Sequence, residues 1–255
     1  KTDEDVIKTM LPYFNKLYGN PSSLYALGKI SKEMINSSKN VISKILKCKP
    51  SEIYFTSGGT ESDNLAIKGI AMANKRKGNH IITTKIEHHA VLNTCKQLEK
   101  QGVEVTYLDV DKNASVNPDD VVNAIRDNTC LVTIMYANNE VGTIQPIKQI
   151  VEKVKAKNPK ILVFTDAVQA VGHVPVNVQE LGVDMLSFSG HKFRAPKGIG
   201  GLYIKSGVVV KTLLDGGAQE RGKRGGTENV ASIVGMAKAL EIAVEEMQDD
   251  NARLA

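Results

Sequence analysis

The chain has 255 residues, 42% of them apolar and 24% charged, with a formal net charge of +5 at pH 7. That balance excludes a disordered chain and suffices for one large soluble domain or a domain and a half. The lysines recur on most predicted helices rather than forming a basic block, which argues against nucleic-acid binding, and no apolar run approaches the ~20 residues of a membrane span. Cys48, Cys95 and Cys130 form neither CxxC pairs nor an even set. That pattern argues against a disulfide framework or a zinc module and points to a reducing, cytoplasmic setting. The opening Lys1-Thr2-Asp3-Glu4-Asp5 is neither a signal peptide nor a starting methionine, so the natural chain is expected to begin further upstream.

Residues 3–18 read as a helix, with Val6, Met10, Phe14 and Leu17 at helical spacing. Gly19-Asn20-Pro21 ends it, and Ser22 or Ser23 is expected to cap a second helix carrying Leu27, Ile30, Met34, Val41, Ile45 and Leu46. A strand over 53–56 precedes a helix reaching about residue 77. The strand 80–84 leads into a helix over 88–100, and the strand 103–110 into one from Asn117 to Arg126. Then come a strand at 131–136, a polar loop, a helix at 147–157 and strands at 161–165, 183–188 and 201–205. A helix from 227 to about 247 is last. Strands alternating with helices predict an α/β fold of three layers, α/β/α, with a mostly parallel sheet covered on both faces. In such sheets ligands sit outside the carboxyl ends of the strands, so the residues there are the site candidates.

After the first strand, Gly58-Gly59-Thr60 opens a helix. Glycines let the backbone approach an anion, and helix N–H groups with the Thr60 hydroxyl suit a phosphate; an ordinary glycine turn with Thr60 as cap reads equally well. After the second strand, His88 or His89 at a helix start can lie against an aromatic ring and pass protons. Periodicity does not choose between them, and adjacent helical histidines diverge too far for a metal pair. Asn139 sits in the loop after the strand 131–136 and by itself reads as a turn asparagine. Asp166 directly follows the apolar run 161–165, where a carboxylate needs a cationic partner. Either a structural ion pair or a protonated pyridine nitrogen satisfies it, and Gln169 three residues on reaches a ring hydroxyl. Ser189-Gly190-His191-Lys192 follows the run 183–188. A lysine fixed there suits a Schiff base with an aldehyde cofactor. Residues 216–227 form a basic glycine-rich loop; Gly217 to Lys223 has P-loop spacing, but Arg224 stands where magnesium needs Ser or Thr. A loop reaching a phosphate, with Thr227 capping the helix behind it, fits better. Together these supply a phosphate cradle, a stacking imidazole, a pyridinium carboxylate and a Schiff-base lysine, the requirements of pyridoxal 5'-phosphate (PLP).

The segments Tyr18-Gly19-Asn20-Pro21-Ser22-Ser23, Phe55-Thr56-Ser57-Gly58-Gly59-Thr60-Glu61-Ser62-Asp63-Asn64, Glu87-His88, Asn138-Asn139-Glu140-Val141-Gly142, residues 187–192 and Gln219-Glu220-Arg221-Gly222 resemble cysteine desulfurases of the NifS and IscS kind. These belong to the class V aminotransferases of PLP fold type I. The resemblance covers essentially the whole chain. It implies that Lys192 holds PLP, that His88 rather than His89 stacks on the ring and shares proton transfer with Lys192, and that Asp166 pairs with the pyridine nitrogen and Gln169 with the ring hydroxyl. Gly59, Thr60, Ser189 and His191 would bind the phosphate, Asn139 the cofactor or substrate, and Thr227 the phosphate in the neighbouring subunit of a homodimer. The implied reaction takes L-cysteine to L-alanine and leaves the sulfur as a persulfide on an enzyme cysteine, for an iron–sulfur scaffold or another acceptor such as thiolated tRNA. A selenocysteine lyase, an aminotransferase and a non-catalytic binding partner are the competing readings.

In such enzymes the nucleophilic cysteine and a carboxylate-binding arginine come well after the Gly226-Thr227 region. The three cysteines here read as structural. The sequence is therefore expected to be the PLP-binding large domain, residues 1–247, with 248–255 starting a small C-terminal domain. Arg194-Ala195 departs from the aromatic or glycine pair more usual after the lysine and is expected to alter packing near the phosphate.

Overall fold

β-Branched and apolar runs supply a single sheet whose strands are mostly sealed from water. The computed structural model describes residues 1–254. The strands are β1 (Ile53–Thr56), β2 (His80–Thr84), β3 (Glu104–Leu108), β4 (Thr129–Thr133), β5 (Leu162–Asp166), β6 (Met185–Ser189) and β7 (Gly200–Ile204). They are ordered β1-β7-β6-β5-β4-β2-β3. From β3 to β6 all neighbours are parallel, and β7 alone runs antiparallel, to both β6 and β1. Only β3, at the edge, is substantially exposed.

Helices cover both faces. Glu4–Met10, Ala26–Leu46, Ile147–Lys157 and Val230–Glu245 pack one core around Ile42, Leu46, Ile150, Phe188 and Leu240. Gly59–Asn74 and His89–Glu99 pack the other, around Leu65, Ile70, Val91, Leu98 and Phe164. No described helix is long and apolar enough to cross a membrane. The order reverses between β2 and β4: the chain leaves β2 towards β3 and leaves β4 towards β5. A crevice opens at the carboxyl ends of strands at such a reversal.

Several boundaries differ from expectation. The helix expected over 3–18 is two short ones, Glu4–Met10 and Pro12–Asn15, because Pro12 has no N–H to donate and crowds the preceding turn; Phe14 is left exposed. The next helix begins at Ala26 without a side-chain cap, so neither Ser22 nor Ser23 fills that role. The fourth strand spans Thr129–Thr133 and ends before Met135, the fifth extends to Asp166 itself, and the sixth is shifted to Met185–Ser189. Asn229, not Thr227, caps the last long helix, accepting from the Ser232 N–H at 3.2 Å.

Two buried polar ties hold the loops at the strand ends. Glu87 Oε1 accepts from Thr84 Oγ1 at 2.6 Å and from the Met135 N–H at 3.1 Å, joining the ends of β2 and β4. Burial pushes the Glu87 carboxyl up to about 8, against these two donors. The second tie anchors the glycine-rich loop. Lys39 Nζ lies 2.8 Å from Glu220 Oε2, both side chains nearly sealed from solvent, and the Phe55 N–H donates to the same oxygen. Glu220 and Arg221 both adopt left-handed backbone, at φ 45° and 55°, which costs roughly 1–2 kcal/mol per residue. The ion pair, and Arg221 lying 4.0 Å over the Tyr54 ring while donating to Ser51 and Ile53 carbonyls, offset that strain.

Two outcomes follow. Glu220→Ala leaves the Lys39 ammonium buried without a partner and is expected to lower unfolding free energy by about 3–5 kcal/mol in urea titrations; a loss below about 1 kcal/mol would mean that the ammonium escapes to water. Glu87 releases its proton near 4.5 when unfolded and near 8 when folded, so its contribution to folding is complete below 4.5 and is lost as pH rises towards 8. Glu87→Gln removes that dependence, so wild type should lose stability relative to the variant between those pH values, and parallel curves would contradict the buried-acid assignment.

Candidate active site

The crevice at the reversal is lined by Gly59, Thr60, Asp63, His88, Met135, Ala137, Asn139, Asp166, Val168, Gln169, Ser189, His191 and Lys192. Four strand ends contribute to it, together with the start of the helix Gly59–Asn74.

Asp166 closes β5 and is 4% exposed. Its Oδ1 accepts from the Val168 N–H at 2.9 Å. Burial raises its pKa, and the opposing influences are that N–H, then the His88 charge, Ser187 and the Lys192 ammonium. Lys192 stands on a tight 3-10 turn, Gly190–Phe193, directly after β6. It is half-buried rather than fully buried, so its ammonium keeps some water. Arg194 closes the turn in left-handed conformation. Its guanidinium pairs with Glu246 and Asp250 and lies off the crevice.

His88 is the N-cap of the helix His89–Glu99, its Nδ1 accepting from the Ala90 N–H at 3.1 Å. Neutral His88 therefore carries its proton on Nε2. The two histidine rings lie 80° apart in plane with centroids 6.2 Å apart, and only His88 lines the crevice; His89 faces a separate surface hollow beside Asn64 and Lys68. The divergence expected of adjacent histidines holds. His88 nevertheless converges with two acids, since ligand atoms of His88, Asp63 and Asp166 all lie within 4.8 Å of one another.

The helix start owes its position to glycine. Gly58 has φ +152°, a conformation side-chain-bearing residues rarely adopt, and a Cβ on Gly59 would fall 2.7 Å from Val168 Cγ2. Backbone and Thr60 thus sit close against the loop after β5. Ser57 donates through N–H and hydroxyl to Glu61, and Glu61 pairs with Arg224 at 3.0 Å.

Of the residues that the resemblance assigned to the cofactor or substrate, all except Thr227 line the crevice. Thr227 lines another cavity, with Phe55, Glu220, Arg224 and Asn229. The expectation that the basic loop reaches a phosphate is not met within this chain. Arg224 is held by Glu61, Arg221 lies on Tyr54, and Lys223 donates to the Val210 carbonyl. Local carboxylate, ring and carbonyl partners satisfy these cations first.

Sequence reasoning gave no role to Asp63, Glu87 or the apolar walls Met135, Ala137 and Val168. Asp63 had a signal: it shares a helix face with Ile67 and Ile70, both fully buried, and an acid in an apolar stripe needs a reason to be there. None of the cysteines lines the crevice. Burial pushes Cys48 and Cys95 up to about 12 and Cys130 up to about 11, so none is a ready thiolate.

The aminotransferase class-V family model matches residues 1–255. The chain is 58% identical over 251 residues to the cysteine desulfurase IscS of Methanosarcina thermophila, covering 98% of this chain and 62% of that protein. It thus spans less than two thirds of the length of that curated relative. A solved NifS-like protein superposes with a TM-score of 0.96 at 44% identity, over 98% of this chain and 68% of that one. A structure described as SspA in complex with cysteine superposes with a TM-score of 0.91 at 40% identity, over 94% of this chain and 69% of that one. The crevice at the sheet reversal, the family match along the whole sequence and these relatives agree: the chain belongs to the aminotransferase class-V family and has the large-domain fold of PLP fold type I.

Proposed function

We propose that the chain is the PLP-binding large domain of a cysteine desulfurase, which takes L-cysteine to L-alanine and passes the sulfur to an enzyme thiolate as a persulfide. One observation carries this reading: Asp166 and Lys192, from neighbouring strands, line one crevice together with His88. The crevice also suits the cofactor. Two buried acids, Asp63 and Asp166, meet there, and a cationic ring would stabilise the ionised form of Asp166. The packed glycine turn brings helix N–H groups and Thr60 to the same crevice, the arrangement that binds phosphate.

In this reading Lys192 Nζ would hold the cofactor's aldehyde carbon, Asp166 the pyridine nitrogen and Gln169 the ring hydroxyl. Gly59, Thr60, Ser189 and His191 would hold the phosphate, and Asn139 would orient cofactor or substrate. When bound, the pyridinium ring supplies an electron sink for the pair left at the substrate's α-carbon. The protein's own groups do the rest. His88 offers Nε2 for proton exchange, because Nδ1 is occupied by the Ala90 N–H. Lys192, half in water, gives and takes protons beside it. Met135, Ala137 and Val168 wall the crevice with apolar surface and limit water. In the net reaction the Cβ–S bond breaks, sulfur joins the acceptor thiolate, and the carbon gains a proton.

That acceptor thiol is proposed to lie outside the matched two thirds of the relatives, since Cys48, Cys95 and Cys130 are away from the crevice and hold their protons. Residues 248–255 would lead into the corresponding small domain. Thr227, outside the crevice of its own chain, would reach the phosphate in the second subunit of a homodimer. The sulfur would go to an iron–sulfur scaffold or to tRNA thiolation.

The full-length protein mixed with PLP should gain a visible absorption band that Lys192→Ala abolishes; a band of equal strength in the variant would remove Lys192 from the role. Residues 1–255 alone should release no alanine from cysteine in an amino-acid assay, and turnover by them would put the acceptor thiol back among Cys48, Cys95 and Cys130.

A further inference from the structure

The second acid in the crevice has no role in the account above. Asp63 is 1% exposed, lines the crevice, and accepts from Ser187 Oγ at 2.6 Å. A carboxylate oxygen of Asp63 lies within 4.8 Å of one of Asp166, and the Ser187 hydroxyl, whose proton goes to Asp63, sits beside both acids. Two carboxylates this close and this dry do not both ionise readily, because each charge opposes the other where water cannot screen them.

We propose that Asp63 and Asp166 hold one proton between them, that it rests on Asp63, and that Asp63 is thereby the positioning residue that leaves Asp166 as the anion presented to the cofactor ring. The asymmetry comes from what faces each acid. Asp166 has the Val168 N–H, with the Lys192 ammonium and the His88 ring nearby. Asp63 has the Ser187 hydroxyl alone, and it faces two acids, Asp166 from β5 and Glu87 from the turn after β2. Burial first, and then the Asp166 charge, raise the Asp63 pKa well above the ordinary carboxylate range, in keeping with this assignment. A neutral Asp63 also keeps Ser187 and Asp166 in register without adding a second charge that Lys192 would follow.

The location of the proton is independent of the cofactor; the positioning role rests on the PLP reading. Both are tested on the purified full-length protein. With aspartate and glutamate carboxyls labelled in carbon-13, the cofactor-free protein at neutral pH should show Asp63 Cγ at the un-ionised position and Asp166 Cγ at the ionised one. Glu87 is distinguished by its Cδ and by Glu87→Gln. Two ionised aspartates, or the proton on Asp166, would overturn the assignment. In a fluorescence titration with PLP, Asp63→Asn retains a neutral carbonyl acceptor for the Ser187 hydroxyl, whereas Asp63→Ala leaves that hydroxyl without it beside Asp166, so the Ala variant should bind roughly tenfold more weakly than the Asn variant. Equal affinities would reduce Asp63 to packing. Failure of wild type to bind PLP at all, with the carbon-13 pattern intact, would remove the cofactor reading and the positioning role while leaving the proton where it is assigned. The wild-type spectrum decides the first point even if a variant fails to fold.

Discussion

The organisation of this molecule turns on a carboxylate kept dry at the end of a central strand. Asp166 closes β5 in a sheet covered on both faces, and a charge there is tolerable only if cations and N–H donors are brought to it. The sheet brings them. β6 delivers Lys192 through a tight turn, the connection after β2 delivers His88, and Val168 supplies an N–H from the next loop. In the proposed reading a cationic ring bound among these groups would complete the neutralisation.

The remaining scaffold holds these ends at fixed separations. Glu87 ties the end of β2 to the residues after β4, which fixes His88 relative to the Met135 wall. Glu61 and Arg224 tie the glycine-opened helix to the basic loop, and Lys39 with Glu220 holds that loop in backbone it would otherwise leave. Each tie is a buried or half-buried polar contact. Such contacts contribute less net stability than apolar packing of the same volume, but they define direction. The apolar cores on the two faces supply the stability; the polar ties set where the loops end.

Much of this is legible in sequence because the rule for α/β sheets is geometric. Once 80–84, 161–165 and 183–188 read as strands, His88, Asp166 and Lys192 must emerge on one edge, whatever the helices do. Errors gathered where local signals compete. The periodicity over 3–18 overlooked Pro12, which splits the helix. Ser22 and Ser23 looked like caps, but the chain turns through Gly19 and begins its helix at Ala26. Thr227 looked like a cap because Asn229 lies only two residues on. The antiparallel β7 left no trace in residue pattern, since a buried strand reads alike in either direction. Asp63 and Glu87 stand within conspicuous motifs with no task evident from sequence; only the three-dimensional arrangement shows that three acids share one dry region. Arg221, Lys223 and Arg224 look like phosphate ligands until their partners Tyr54, the Val210 carbonyl and Glu61 are in view, all distant in sequence.

The central claim is that one lysine, opposite one buried carboxylate, captures an aldehyde cofactor. Borohydride reduction of the full-length protein after addition of PLP, followed by peptide mass analysis, tests it directly. The account predicts a single stable pyridoxyl-phosphate adduct on the peptide containing Lys192. An adduct spread over surface lysines, or carried by another residue with Lys192 unmodified, would contradict it.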